Sequence, residues 1–250
     1  MESADGSASA AGPSGMSEAG RIAGVFWEPK PVFADLATHP RWWVPMILVV
    51  VLGLVYVAAF SQVVGWRTFM ENEIANNSRL QQITAEQREA IVEQQSKIAG
   101  VMGYAGAVVG GVVTLLLVAG VLLFGFKLAA GAVDLTFRQA LAIVCYAWLP
   151  FVLYQGLALI ALFNMNPADF DLRNPLPFNI GWFLDPSSTS AGLVSAASSV
   201  DLFSFWVIAL MALGFSVAVK KVSFGKAFSV VFGAWVVWVL LKAGGAALTG

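Results

Sequence analysis

Few residues in this 250-residue chain have the type and spacing to do chemistry. The single histidine, His39, stands before Pro40 with no companion ligand, which fits an interfacial structural role better than a metal site built from converging ligands. Asp134 and Arg138 are four residues apart and suited to pair across one helical turn. Thr136 and Gln139 have the spacing of a capping box, so the polar chemistry there is that of a helix start; Asp134 has no second carboxylate or histidine nearby for acid–base work. Ser198 and Asp201 likewise have helix-start spacing. Cys145 is the only cysteine and lies in an apolar run, offering neither a disulfide nor a thiolate metal site. No catalytic, cofactor-binding or metal-ligating residue is therefore expected: an intramembrane enzyme needs paired carboxylates, Ser with His, or clustered metal ligands.

Three other groups of residues could act without catalysis. Pro150 lacks an N–H and frees a carbonyl within a helix; with Tyr146, Tyr154 and Gln155 it forms a candidate kink or cavity lining, useful to a transporter, or else is satisfied by local packing. Lys220, Lys221 and Lys226 form a basic cluster suited to lipid headgroups, and equally explained by topology retention. Gly103, Gly106, Gly110 and Gly111, with Ala99 and Ala107, let helix backbones approach. Such faces support homodimerisation or packing within the chain's own bundle, and the latter is expected because a bundle needs them anyway.

The elements that position these residues are apolar. Stretches 44–65, 101–126, 139–163, 202–219 and 227–241 contain no Asp, Glu, Lys, Arg or His. About 20 apolar residues as a helix match a hydrocarbon core of ~30 Å, where backbone groups find partners only within the helix. The composition agrees, with 58% hydrophobic and 12% charged residues and a mean hydropathy of +0.77. The fold class read from this pattern is an all-α polytopic membrane protein with five transmembrane helices, the last extending to about 248, and an extramembrane helical extension between the first two. The formal net charge of −1 excludes a nucleic-acid role, which needs a clustered basic face. No cofactor is expected. Membrane lipids, membrane-protein partners or a second copy of the chain are the partners that remain.

Residues 1–23 are expected to form a disordered tail, and 24–250 the membrane domain. The first 20 residues lack the apolar core of a signal peptide, so the first membrane helix is expected to direct insertion. In 24–41, Val32, Phe33 and Leu36 share one helical face after Pro31, which points to a short helix lying along the inner interface, or to a simple aromatic belt. Thr84 and Gln87 form a capping-box pattern, and nothing after Ala85 breaks the helix before the second apolar stretch. The polar hairpin over 67–97 is expected to be a solvated helical pair, with a docking surface as the alternative. Segment 164–200, with its prolines followed by Ser and Ala, is expected to be irregular, either capping the bundle or held only by its aromatics. Basic residues near the stretch ends favour a cytoplasmic N-terminus, and five crossings then put the C-terminus outside.

The run from Asp134 to Pro150 resembles the Yip-domain family of Ypt/Rab-interacting membrane proteins, particularly its bacterial branch, through Phe137, Arg138, Ala140, Tyr146, Ala147 and Pro150. Similar patterns are Pro31, Phe33 and Leu36 leading to Pro40, Trp43 and Pro45, and Lys221, Phe224, Lys226 and Ala227 before the last helix. The resemblance implies a five-helix domain with a cytosolic N-terminus, located in a bacterial inner membrane. It also implies a non-catalytic scaffold or adaptor, with a small-solute or lipid transporter as the alternative. The tail lacks the Asp-Leu-Tyr-Gly-Pro type motif of eukaryotic relatives, and Cys145 stands where Gly is expected, which argues against a Rab-type GTPase partner.

Overall fold

The computed structural model describes residues 15–75, 83–131, 134–167, 170–172, 174–185 and 188–249. Every regular element among them is helical; the one β-type pairing is an isolated bridge between Asn179 and Asp201. The protein is an all-α polytopic membrane protein, and among the described residues four helices are long and apolar enough to cross a bilayer.

The chain opens with a helical hairpin. Ser17 caps α1 (Glu18–Trp27) by accepting from the Gly20 amide at 3.1 Å, and α2 (Pro29–Thr38) begins on Pro29, whose fixed φ suits a first helical position. For residues 18–23 helix α1 corrects the expectation of a disordered tail: a polar average hid Arg21, which is buried together with Val25 just beyond, and that burial offsets the entropy of ordering the helix. Residues 1–14 of the expected tail lie outside the described residues.

Val32, Phe33 and Leu36 do share one face of α2, but protein covers it instead of lipid. Gly214 makes this close approach possible. A Cβ there would lie 2.5 Å from Ile143 Cγ2 and 2.9 Å from Phe33 Cδ1. The apolar face of α2 is therefore packed against the bundle, while Lys30, Pro31, Ala34 and Thr38 on its other side are exposed.

Helix α3 (Trp43–Val63) ends at Gly65, whose φ of 80° turns the chain into α4 (Trp66–Ala75). Thr84 and Gln87 form the expected capping box and start α5 (Ala85–Ala105), which continues through a π turn (Gly106–Gly110) into α6 (Gly111–Ala130). The result is one helical rod over Ala85–Ala129, 45 residues long. Helices α4 and α5 pack as the extramembrane hairpin. Arg67 spans them, bonding Glu71 at 2.9 Å and Glu89 at 2.8 Å, while Lys97 hydrogen-bonds Glu93 and holds that carboxyl below its usual range.

The third apolar stretch forms one 28-residue span, Phe137–Asn164, made of α7 (Phe137–Ala147) and α8 (Leu149–Asn164) with a one-residue interruption at Trp148. Thr136 and Gln139 cap α7 as expected, but Arg138 does not pair with Asp134; its Nε donates to the Pro40 carbonyl at 3.1 Å and ties α7 to the end of α2. The described residues of segment 164–200 include Phe170 and Leu176, which are buried with Phe60 and Leu162 and so cap one end of the bundle. The segment contains a 3₁₀ turn (Ile180–Phe183), and its Ser- and Ala-rich part forms α9 (Ala191–Ser199).

Asp201 itself caps α10 (Leu202–Ala218), accepting from the Ser204 amide at 2.8 Å, so the Ser198–Asp201 spacing is not the helix start. At 17 residues α10 is roughly 26 Å long and falls short of the four long helices, yet it is deeply packed, burying Val207, Ile208, Met211 and Phe215. Helix α11 (Phe224–Thr249) closes the bundle against α6, α9 and α10.

A buried arginine cluster as the candidate functional site

Arg21 is fully buried, and it is the one charged side chain among the described residues that is. Helix α1 places it one turn after Glu18, and α2 brings Asp35 across the hairpin. Its Nε donates to Asp35 Oδ2 at 2.7 Å and its Nη1 to Glu18 Oε1 at 3.0 Å. Nη2 lies 2.6 Å from the same Asp35 oxygen but without hydrogen-bond alignment, so one guanidinium nitrogen is charge-paired and not hydrogen-bonded. Burial opposes the charge, but the hydrogen bond and charge of Asp35, together with Glu18, outweigh it and raise the Arg21 pKa above its ordinary value.

The cluster reaches α7 through Tyr146, whose hydroxyl donates to Glu18 Oε2. Tyr146 sits well inside the apolar stretch 139–163, which itself carries no charge. The hairpin thus brings to that stretch the ionic groups it lacks. Toward the surface, Arg41 Nη1 reaches Glu18 Oε1 at 3.3 Å, His39 Nδ1 lies 3.3 Å from Asp35 Oδ1, and the Met16 amide donates to Asp35 Oδ1 at 3.2 Å. Gln139 Nε2 donates to the Ala37 carbonyl at 2.7 Å, a second tie between α7 and α2. Both carboxylates are thus committed to cations, amides and the tyrosine. Their arrangement fixes the hairpin to the bundle. Sequence reasoning missed it because Glu18 and Arg21 fell in the expected tail; the i,i+3 spacing of these two residues was the available signal.

The other sequence-derived residues fall in separate places. Pro150 is buried at the start of α8, just after the interruption at Trp148. Tyr146 turns to Glu18, whereas the Tyr154 ring packs edge-on to Phe203 with centroids 5.2 Å apart, so the two tyrosines do not share a cavity; Gln155 is half-buried. Lys220, Lys221 and Lys226 are exposed around the α10–α11 turn, where Lys221 adopts a φ of 69°. The glycines divide. A Cβ on Gly103 would meet the Trp66 ring at 2.5 Å and one on Gly111 would meet Val49 at 3.0 Å, while Gly106 and Gly110 have nothing within 4 Å. The first pair packs inside the chain, and the second faces away from it.

The sequence pattern of the Yip1 domain matches residues 23–245. The chain belongs to the Yip1 domain family. Asp35 and Tyr146 lie inside the match, and Glu18 and Arg21 just before it. Neither a curated protein nor a solved structure matches the chain.

Proposed function

We propose that this Yip1-family protein is a non-catalytic scaffold or adaptor that organises protein or lipid partners in a bacterial inner membrane. One observation carries this reading: the ionic groups in the bundle, Glu18, Arg21 and Asp35, are occupied in holding a helical hairpin and not aimed at a vacant site. In this reading α10 completes five crossings, the N-terminus is cytoplasmic and the C-terminus is outside. A reporter after Gly250 should then lie outside the cytoplasm and one at Gly131 inside; finding both on one side contradicts five crossings. Lys220, Lys221 and Lys226 would face the anionic inner leaflet, each contributing about 1 kcal/mol of attraction.

Transport of a small solute or lipid is the second reading, favoured by the helix interruption at Trp148 beside Pro150 and by the buried Tyr56 hydroxyl, which has no hydrogen-bond partner among the described residues. Purification of the full chain in mild detergent, followed by identification of bound proteins and lipids and a solute-uptake screen in vesicles, separates the two. A stoichiometric partner without saturable uptake supports the scaffold. Saturable uptake without such a partner overturns it.

A further inference from the structure

We propose that an apolar groove between α9 and α11 holds one acyl chain of an anionic phospholipid, with Lys242 binding the headgroup. The groove has a volume of about 350 Å³, within the ~300–1,000 Å³ of small-molecule sites, and its lining exposes only apolar surface. Leu193, Ala197 and Val200 form one wall; Trp235, Val239 and Leu240 form the other. At one end Gly192 seals the helices together, since a Cβ there would lie 3.0 Å from the Ala243 carbonyl oxygen.

The charge at the rim selects the occupant. Lys242 Nζ donates to Ser199 Oγ at 3.1 Å. Ser199 precedes the groove residue Val200, and Lys242 follows the groove residue Leu240 by two positions, so this bond holds the ammonium beside the opening. No carboxylate among the described residues pairs with it, and an ammonium with three donors keeps two for a phosphate. Depth agrees with this assignment. Lys226 and Lys242 are about 24 Å apart along α11, against a hydrocarbon core of ~30 Å, so Lys242 lies toward the headgroup layer opposite the Lys220–Lys226 turn, with the groove residues Trp235, Val239 and Leu240 on its acyl side. A zwitterionic lipid brings a phosphate whose charge its own ammonium already offsets, so an anionic lipid is the stronger partner for Lys242, and a free anion would leave the apolar walls uncovered.

This inference rests on the lipid-organising reading, but its readout is confined to α9 and α11, so loss of a protein partner or of lipid at Lys220–Lys226 leaves it unaffected. The test uses the full chain in phosphatidylcholine vesicles containing a minor fraction of phosphatidylglycerol with a diazirine in its acyl chain, and maps adducts by peptide mass spectrometry. Adducts should concentrate on 193–200 and 235–240, and excess unlabelled phosphatidylglycerol, but not phosphatidylcholine, should suppress them. Lys242→Gln should lower them about fivefold, the equivalent of one lysine near an anionic surface. Ala196→Phe, which fills the groove, should abolish them. Adducts spread evenly around α11, or unchanged by both the competitor and Lys242→Gln, would overturn the proposal.

Discussion

Arg21 illustrates how a buried ion pair acts through what its removal leaves behind. Arg21→Met would remove the one buried cation between Glu18 and Asp35, whose side chains are only 21% and 12% exposed, and leave them the exposed Arg41 and His39 as partners. Breaking one partner of a buried pair costs about 3–5 kcal/mol, against about 2 kcal/mol for a hydrogen bond to a charged group. Arg21→Met is therefore expected to lose more stability than Tyr146→Phe in denaturant titrations in detergent, and adding Glu18→Gln and Asp35→Asn to Arg21→Met should recover part of the loss. If Arg21→Met remains within about 1 kcal/mol of the wild type, the cluster does not hold the hairpin.

Among the elements, the second long helix makes a prediction with an internal control. Gly103 lies under the Trp66 ring and Gly106, three residues on, faces open space. Gly103→Ala should destabilise by about 1–3 kcal/mol through overpacking, whereas Gly106→Ala should be neutral or stabilise by about 0.5 kcal/mol because it lowers chain entropy. Equal losses in thermal unfolding would place both glycines on one packed face. The small-residue pattern was legible in the sequence, but its division between inner and outer faces was not, since the π turn at Gly106–Gly110 shifts the helical register. The capping boxes at Thr84 and Thr136 were legible because their hydrogen bonds are local. Helix α1, the interruption at Trp148 and the contact of Arg138 with Pro40 depend on partners far along the chain, which periodicity does not record.

Across the whole molecule, apolar length announces the membrane domain and the Yip1 match covers it, but neither conveys that the N-terminal hairpin packs against the bundle. Val32, fully buried and 2.6 Å from where a Cβ on Gly24 would stand, and the exposed Ala34 lie on opposite sides of α2. The decisive measurement is the rate at which a membrane-impermeant maleimide labels single-cysteine variants Val32→Cys and Ala34→Cys, made with Cys145→Ala, in membranes opened to both sides. The expected result is rapid labelling at position 34, protection at position 32, and loss of that protection when Arg21→Met is added. Rapid labelling at both positions of the otherwise unaltered chain would contradict a hairpin pinned against the bundle by Arg21.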